Sequence, residues 1–156
     1  MGLDMYLYNK TYVQQWSFES DDEKHHVTVK KGGKVLRHIK PSRVSYVIEQ
    51  IGCWRKSNQI HQWFVQNVQD GVDDCKEYYV TIEQLKELMV ECNKVIKEPT
   101  KGGEILPTQT GFFFGGTDYD EWYIDDLKDT VKIIEGIFAD EKKYNFMGSY
   151  YYRASW

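Results

Sequence analysis

The densest grouping of chemically useful side chains is Cys53-Trp54-Arg55-Lys56-Ser57-Asn58-Gln59-Ile60-His61-Gln62-Trp63-Phe64, which puts a thiol, two bases, a histidine and two indoles within twelve positions. A thiol and an imidazole are the parts of a nucleophilic dyad, in which the ring takes the proton and a third group orients the ring. Cys53 and His61 fall on different predicted elements, however, and nothing nearby names the orienting group. The four histidines, His25, His26, His38 and His61, show neither His-x-x-x-His nor His-Glu-x-x-His spacing, so a zinc hydrolase lacks local support. Cys53, Cys75 and Cys92 are widely spaced, odd in number and without a Cys-x-x-Cys pair, which implies reduced thiols rather than a disulfide scaffold or zinc knuckle.

A second candidate runs from Leu106 to Asp126. Gly111-Phe112-Phe113-Phe114-Gly115-Gly116 is not a phosphate loop, because it lacks the Gly-Lys-Ser/Thr end and carries bulky rings where a backbone must approach phosphate. Asp118, Asp120, Asp125 and Asp126 offer the oxygens that hard cations take, but the spacing lacks the central glycine and terminal glutamate of a calcium loop. Acids at a helix start have a simpler use in capping and in offsetting the macrodipole. Neither a metal nor a cofactor is expected.

Charge supplies a third candidate. Residues 24–56 carry nine bases against one acid, a balance of +8, while the stretches before and after carry −4 and −8, for a total of −4. Folded onto one surface, Lys30, Lys31, Lys34, Arg37, Lys40 and Arg43 form a basic patch that can steer a partner or touch phosphates, with Tyr46, Trp54 or Trp63 available for stacking. The acidic total weighs against nucleic acid. Pairing of these bases with nearby acids is the plainer expectation.

Aromatic residues are the fourth. Five tryptophans, twelve tyrosines and seven phenylalanines make up 15% of the 156 residues, more than a small interior readily holds. Three consecutive phenylalanines cannot share one side of a strand. Tyrosine and tryptophan bury area at an interface with little loss of side-chain entropy. The expected binding surface is therefore Trp54, Arg55, His61, Phe112, Phe113, Phe114, Tyr119 and Trp122; an aromatic-rich core is the competing account.

These residues must be positioned by elements that the hydrophobic periodicity outlines. Leu3, Met5 and Leu7 alternate with Asp4, Tyr6 and Tyr8, which predicts a strand, with a turn at Asn9-Lys10 and a further extended piece from Tyr12-Val13. Residues 19–25 read as a loop, followed by a hairpin of residues 26–30 and 35–39 around Gly32-Gly33. Pro41-Ser42 opens a predicted helix with Val44, Val47, Ile48 and Ile51 on one face, though Val44, Tyr46 and Ile48 also suit a strand. Ser57 caps a helix whose stripe is Ile60, Trp63, Phe64, Asn67 and Val68, leaving His61 half-exposed beside it. Residues 77–80 form a connector or short strand. Thr81 and Gln84 fit a capping box ahead of Leu85, Leu88, Met89, Cys92 and Ile96. Lys101-Gly102-Gly103 predicts a turn. Asp118 and Glu121 fit a second box, ahead of Tyr123, Leu127, Thr130, Val131, Ile134, Ile137 and Phe138. The tail from Tyr144 to Trp156 reads as a strand able to pair with the first.

The sum is an α+β fold, an antiparallel sheet of N- and C-terminal strands packed against three or four helices, in one domain spanning residues 1–156. No apolar run approaches the roughly 20 residues of a membrane helix, and the start resembles no signal peptide, so a cytoplasmic protein is expected.

Met1-Gly2-Leu3-Asp4-Met5-Tyr6-Leu7, Cys53 to Val65, Asn67-Val68-Gln69-Asp70-Gly71, Leu106 to Gly115, Thr117-Asp118-Tyr119-Asp120 and the final Ser155-Trp156 resemble segments of a family of small proteins of tailed bacteriophages and prophages. The resemblance spans most of the chain. It implies an accessory protein acting in the host cytoplasm, in host takeover or anti-defence, and carries over no catalytic residue. The expected function is thus non-enzymatic binding of a host or phage protein, with homo-oligomers possible, and the alternative is a small-ligand binder or enzyme with a cleft near Arg55, His61 and Asp118.

Overall fold

The alternation near the N-terminus becomes β1 (Asp4–Tyr12), whose inward side chains Met5, Leu7 and Asn9 are buried. A computed structural model describes residues 2–156 and divides them into two compact units, residues 2–9 with Gln50–Trp156, and Lys10–Glu49. The predicted turn at Asn9-Lys10 does not form, because β1 continues through both residues.

In the larger unit, β6 (Tyr150–Ser155) runs antiparallel to β1, with Met5 opposite Ala154 and Leu7 opposite Tyr152. β5 (Glu77–Val80) pairs antiparallel with the far side of β6. On the other side of β1 lies β4 (Tyr46–Arg55), where the Lys56 N–H donates to the Leu3 carbonyl at 2.7 Å. The result is a four-stranded antiparallel sheet in the order β4-β1-β6-β5, packed against helices as the sequence implies. The helix read from Val44 to Ile51 is replaced by β4, since its apolar spacing also fits a strand and β1 offers backbone partners over its length. Gly52 lets β4 lie close to its cover: a Cβ there would meet Ile133, Leu7 and Trp54 at 3.1–3.2 Å.

Four helices follow: α1 (Asn58–Asn67), α2 (Ile82–Lys97), the short α3 (Gly102–Ile105) and α4 (Glu121–Tyr144). α2 starts with the predicted capping box, in which the Thr81 hydroxyl accepts from the Gln84 N–H and the Gln84 side chain accepts from the Thr81 N–H. For α4 the cap is Asp120 rather than Asp118, and its carboxylate accepts from the Tyr123 N–H at 3.1 Å. The α4 stripe from Tyr123 to Ile137 is buried with Leu85, Leu88, Cys92 and Val95 of α2 and the inward residues of β1 and β6. No helix among the described residues is long and apolar enough to cross a membrane.

The smaller unit has one buried hydrophobic residue, Val13, whose N–H donates to the Ser45 carbonyl at 2.9 Å. The hairpin is shorter than its sequence pattern implies: only β2 (Lys30–Lys31) and β3 (Lys34–Val35) pair, around Gly32 and Gly33 at φ +54° and +79°. Trp16 and Phe18 stack in the open with centroids 6.0 Å apart, and Tyr12 meets Tyr46 edge-on at 5.1 Å.

Candidate functional site

Three consecutive polar residues at the start of α1 are buried, against the usual rule that such groups stay in water, and each meets the segment that follows α3 or the start of α4. The Asn58 amide donates to the carbonyls of Phe114 (3.0 Å) and Gly116 (2.8 Å), and its oxygen accepts from the Gln109 N–H at 2.8 Å, so one side chain pins a loop far along the chain. Gln59 donates to Asp126 Oδ2 at 3.0 Å. The Ser57 hydroxyl is wholly buried beside the same carboxylate and makes no hydrogen bond of standard geometry. The Tyr123 hydroxyl donates to the Leu106 carbonyl at 2.8 Å and steadies the other end of the loop.

Between these parts opens a cleft of about 330 Å³. Arg55 and Lys56 come to it from the end of β4, Gln59 from α1, Thr108, Gly115, Gly116 and Asp118 from the loop, and Asp120, Trp122, Tyr123 and Asp126 from the start of α4. Trp122 and Asp126 are four residues apart on α4 and so share a face, with the carboxylate one turn along from the indole. The indole is 80% exposed, whereas Asp126 is half-buried. Burial pushes the Asp126 carboxyl above the usual carboxylate range, and the Gln59 and Ser57 side chains offset this only in part. Lys56 is exposed and has left-handed backbone at φ +59°, a conformation unusual for a side chain of this size. Its stem crosses Gly115, where a Cβ would approach Lys56 Cβ to 3.0 Å, and Gly115 itself has φ +87°. Arg55 is 68% exposed and sits 3.5 Å from Asp4.

His61 lies elsewhere. Expected half-exposed and part of a binding surface, it is fully buried, because its ring is turned beneath β6. Nδ1 is 2.8 Å from the Tyr152 hydroxyl and Nε2 is 3.0 Å from Asp73 Oδ1. With the carboxylate accepting from Nε2–H, Nδ1 is left to accept from the tyrosine hydroxyl. The carboxylate–imidazole–hydroxyl series has the wiring of a catalytic triad, yet Tyr152 is fully buried, stacked on Phe64 at 3.8 Å, and offers its hydroxyl to no substrate. Desolvation holds the His61 pKa below its ordinary value, with Asp73 pulling the other way. The Cys53–His61 dyad is not assembled, since both ring nitrogens are taken and Cys53 is exposed on β4.

Of the other residues expected on a binding surface, Trp54 is buried at 5% exposure and donates from Nε1 to Thr130 Oγ1 at 2.9 Å, because the strand alternation turns it toward α4. Phe113 and Phe114 are half-buried, and Phe114 meets the His61 ring edge-on at 5.3 Å. Arg55, Phe112, Tyr119 and Trp122 are exposed, Phe112 at 95%. In the smaller unit Lys30, Lys31, Lys34, Arg37, Lys40 and Arg43 are all exposed, and none of the six forms an ion pair among the described residues. Arg43 donates to the His38 carbonyl instead. Among the described residues no group of three or more histidine, cysteine or acidic side chains is placed to hold a metal ion.

Sequence reasoning did not single out Gln59 or Ser57 for the site, and it read Asp126 as a helix-start acid. The available signal was position: Asp126 is three residues from Tyr123 and next to Leu127, on the border of the buried stripe. No known family model matches the chain, and neither does any curated protein or solved structure.

Proposed function

We propose that the chain is a non-enzymatic binding protein that grips a host or phage protein through the Phe112–Trp122 region. The observation that carries this is the exposure of three large rings within eleven residues, Phe112 at 95%, Tyr119 at 48% and Trp122 at 80%, on a segment that Asn58 and Tyr123 hold in place. Exposed aromatics on a fixed backbone bind with little ordering cost. The resemblance to tailed-phage and prophage proteins supports an accessory role in the infected bacterium, in host takeover or anti-defence. The test is retention of proteins from infected and uninfected lysate on the immobilised chain and on an F112A/W122A double variant. A protein held by the first and lost from the second is the expected result; an identical set on both contradicts the reading.

A second reading, a small polar ligand in the cleft, is favoured by one observation: among the described residues the half-buried Asp126 faces the cleft without a cationic partner, while Lys56 lines the same cleft without an anionic one. Of the residues first grouped for such a cleft, Arg55 and Asp118 line it and His61 does not.

A further inference from the structure

We propose that this cleft binds a small basic zwitterion of the arginine type, with the guanidinium held by Asp126 against the Trp122 ring and the carboxylate held by Lys56 and Arg55. The proposal rests on the cleft being a small-ligand site and takes nothing from the protein partner.

Sign and number of charges decide the class. The lining contains two bases, Arg55 and Lys56, and three acids, Asp118, Asp120 and Asp126, a balance of −1, and the Arg55 charge is shared with Asp4 at 3.5 Å, so Lys56 is the base with no acid beside it among the described residues. A ligand with a cationic group at one end and an anionic group at the other complements the separate signs, and a second cationic group, for a net +1, complements the total as well. A nucleoside monophosphate brings about two negative charges to walls that are already net negative. A simple carboxylic acid satisfies Lys56 and leaves Asp126 and Asp118 uncompensated. The volume of about 330 Å³ lies at the small end of ligand clefts and suits a molecule the size of an amino acid.

Local geometry then favours a guanidinium over other cations. Asp126 and Trp122 sit one turn apart on a single face of α4, about 6 Å along the axis. A planar cation laid on the indole can reach the carboxylate with its N–H edge at that spacing. Guanidinium is the side-chain cation that both stacks on an aromatic face and donates two parallel hydrogen bonds to a carboxylate. Asp126 Oδ2 already accepts from Gln59, but each carboxylate oxygen has a second acceptor site. The wholly buried Ser57 hydroxyl lies behind the carboxylate, away from the cleft, and with Gln59 steadies it from the protein side. At the other end, Lys56 is held in left-handed backbone over Gly115, and its ammonium has no acidic partner among the described residues.

Calorimetric titration of the full chain with L-arginine, L-citrulline, agmatine and guanosine monophosphate tests the proposal. Citrulline replaces the cation by a neutral group of similar shape, and agmatine lacks the carboxylate. L-arginine is expected to bind at least about tenfold more tightly than either, as for loss of a charge-assisted hydrogen bond. Asp126→Asn weakens arginine and agmatine alike; Lys56→Gln weakens arginine and leaves agmatine unchanged. Each variant's circular dichroism and melting curve establish that it is folded. An arginine at a polypeptide C-terminus offers the same two groups, and Nα-acetyl-L-arginine represents it: equal binding assigns the site to a chain end, weaker binding to the free amino acid, and both uphold the shared chemistry. If citrulline equals arginine, if folded Asp126→Asn binds arginine like the parent, or if guanosine monophosphate binds in preference, the arginine assignment is overturned and the cleft remains a ligand site. Absence of binding by every compound at millimolar concentration overturns both.

Discussion

His61 and Asp126 are both ionisable, both anchored through α1, and both desolvated, yet they sit in opposite circumstances. His61 has a partner on each ring nitrogen and no access to solvent, and its neutral form completes a chain from Asp73 to Tyr152 that ties α1 to β6 and to the loop after α1. The Trp156 indole adds a further donor to Asp73 at 3.2 Å. Asp126 has an amide on one oxygen, the Ser57 hydroxyl behind it and a cleft in front. A satisfied buried network rigidifies a fold, whereas a desolvated carboxylate left open at a cleft is a group whose environment serves something other than the empty protein. The lesson is that the residue looking most like a catalyst in the sequence is scaffolding, and a plain helix acid is the better candidate for contact with a ligand.

The contrast breaks most visibly at His61. His61→Ala removes the shared partner of Tyr152 and Asp73 and opens a cavity between Phe114 and Tyr152, so a loss of about 3 kcal/mol or more in urea unfolding is expected. Arginine binding by the folded fraction should be unchanged. Tyr152→Phe keeps the ring on Phe64 but leaves Nδ1 without a donor, and should lose about 1–2 kcal/mol by the same measurement.

Acid sharpens the comparison, because the two groups respond with opposite sign. The folded His61 pKa is depressed from 6.5, so the unfolded chain takes the proton first as pH falls. Its contribution to stability is whole above about pH 6.5 and is lost as pH drops through the folded value. The folded Asp126 pKa is raised from 3.8, so its contribution is present below that value and lost as pH rises through the folded one. Melting curves between pH 7.5 and 5.5 should show a fall in the His61 contribution that Tyr152→Phe alters, whereas Asp126→Asn removes a contribution of the opposite sign. A smaller effect than at His61 belongs to Lys56→Gly, which relieves the left-handed backbone and should gain about 1 kcal/mol while weakening arginine.

Local signals carried much of the architecture. The period of two from Leu3 to Leu7, the Thr81–Gln84 box and the stripe from Tyr123 to Ile137 all stand in the structure where the sequence implied them. The segment 44–51 was misread because helix and strand spacings coincide there, and the choice was made by pairing with β1, which is a tertiary effect. His61 was misplaced for a related reason: its partners lie 12 and 91 residues away, and no local pattern announces them. The cleft joins Gln59 to Asp126 across 67 residues and depends on Asn58 holding a loop more than 50 residues distant, so its parts were visible in the sequence but not their convergence.

The most direct measurement is denaturant unfolding of Asp126→Asn beside the parent chain at pH 7. If Asp126 is kept for a ligand rather than for the fold, the variant is at least as stable, with any gain limited to about 0.5–1 kcal/mol because the carboxyl still reaches water. A loss of more than about 1 kcal/mol would make Asp126 a structural residue like His61 and dissolve the distinction between the two regions.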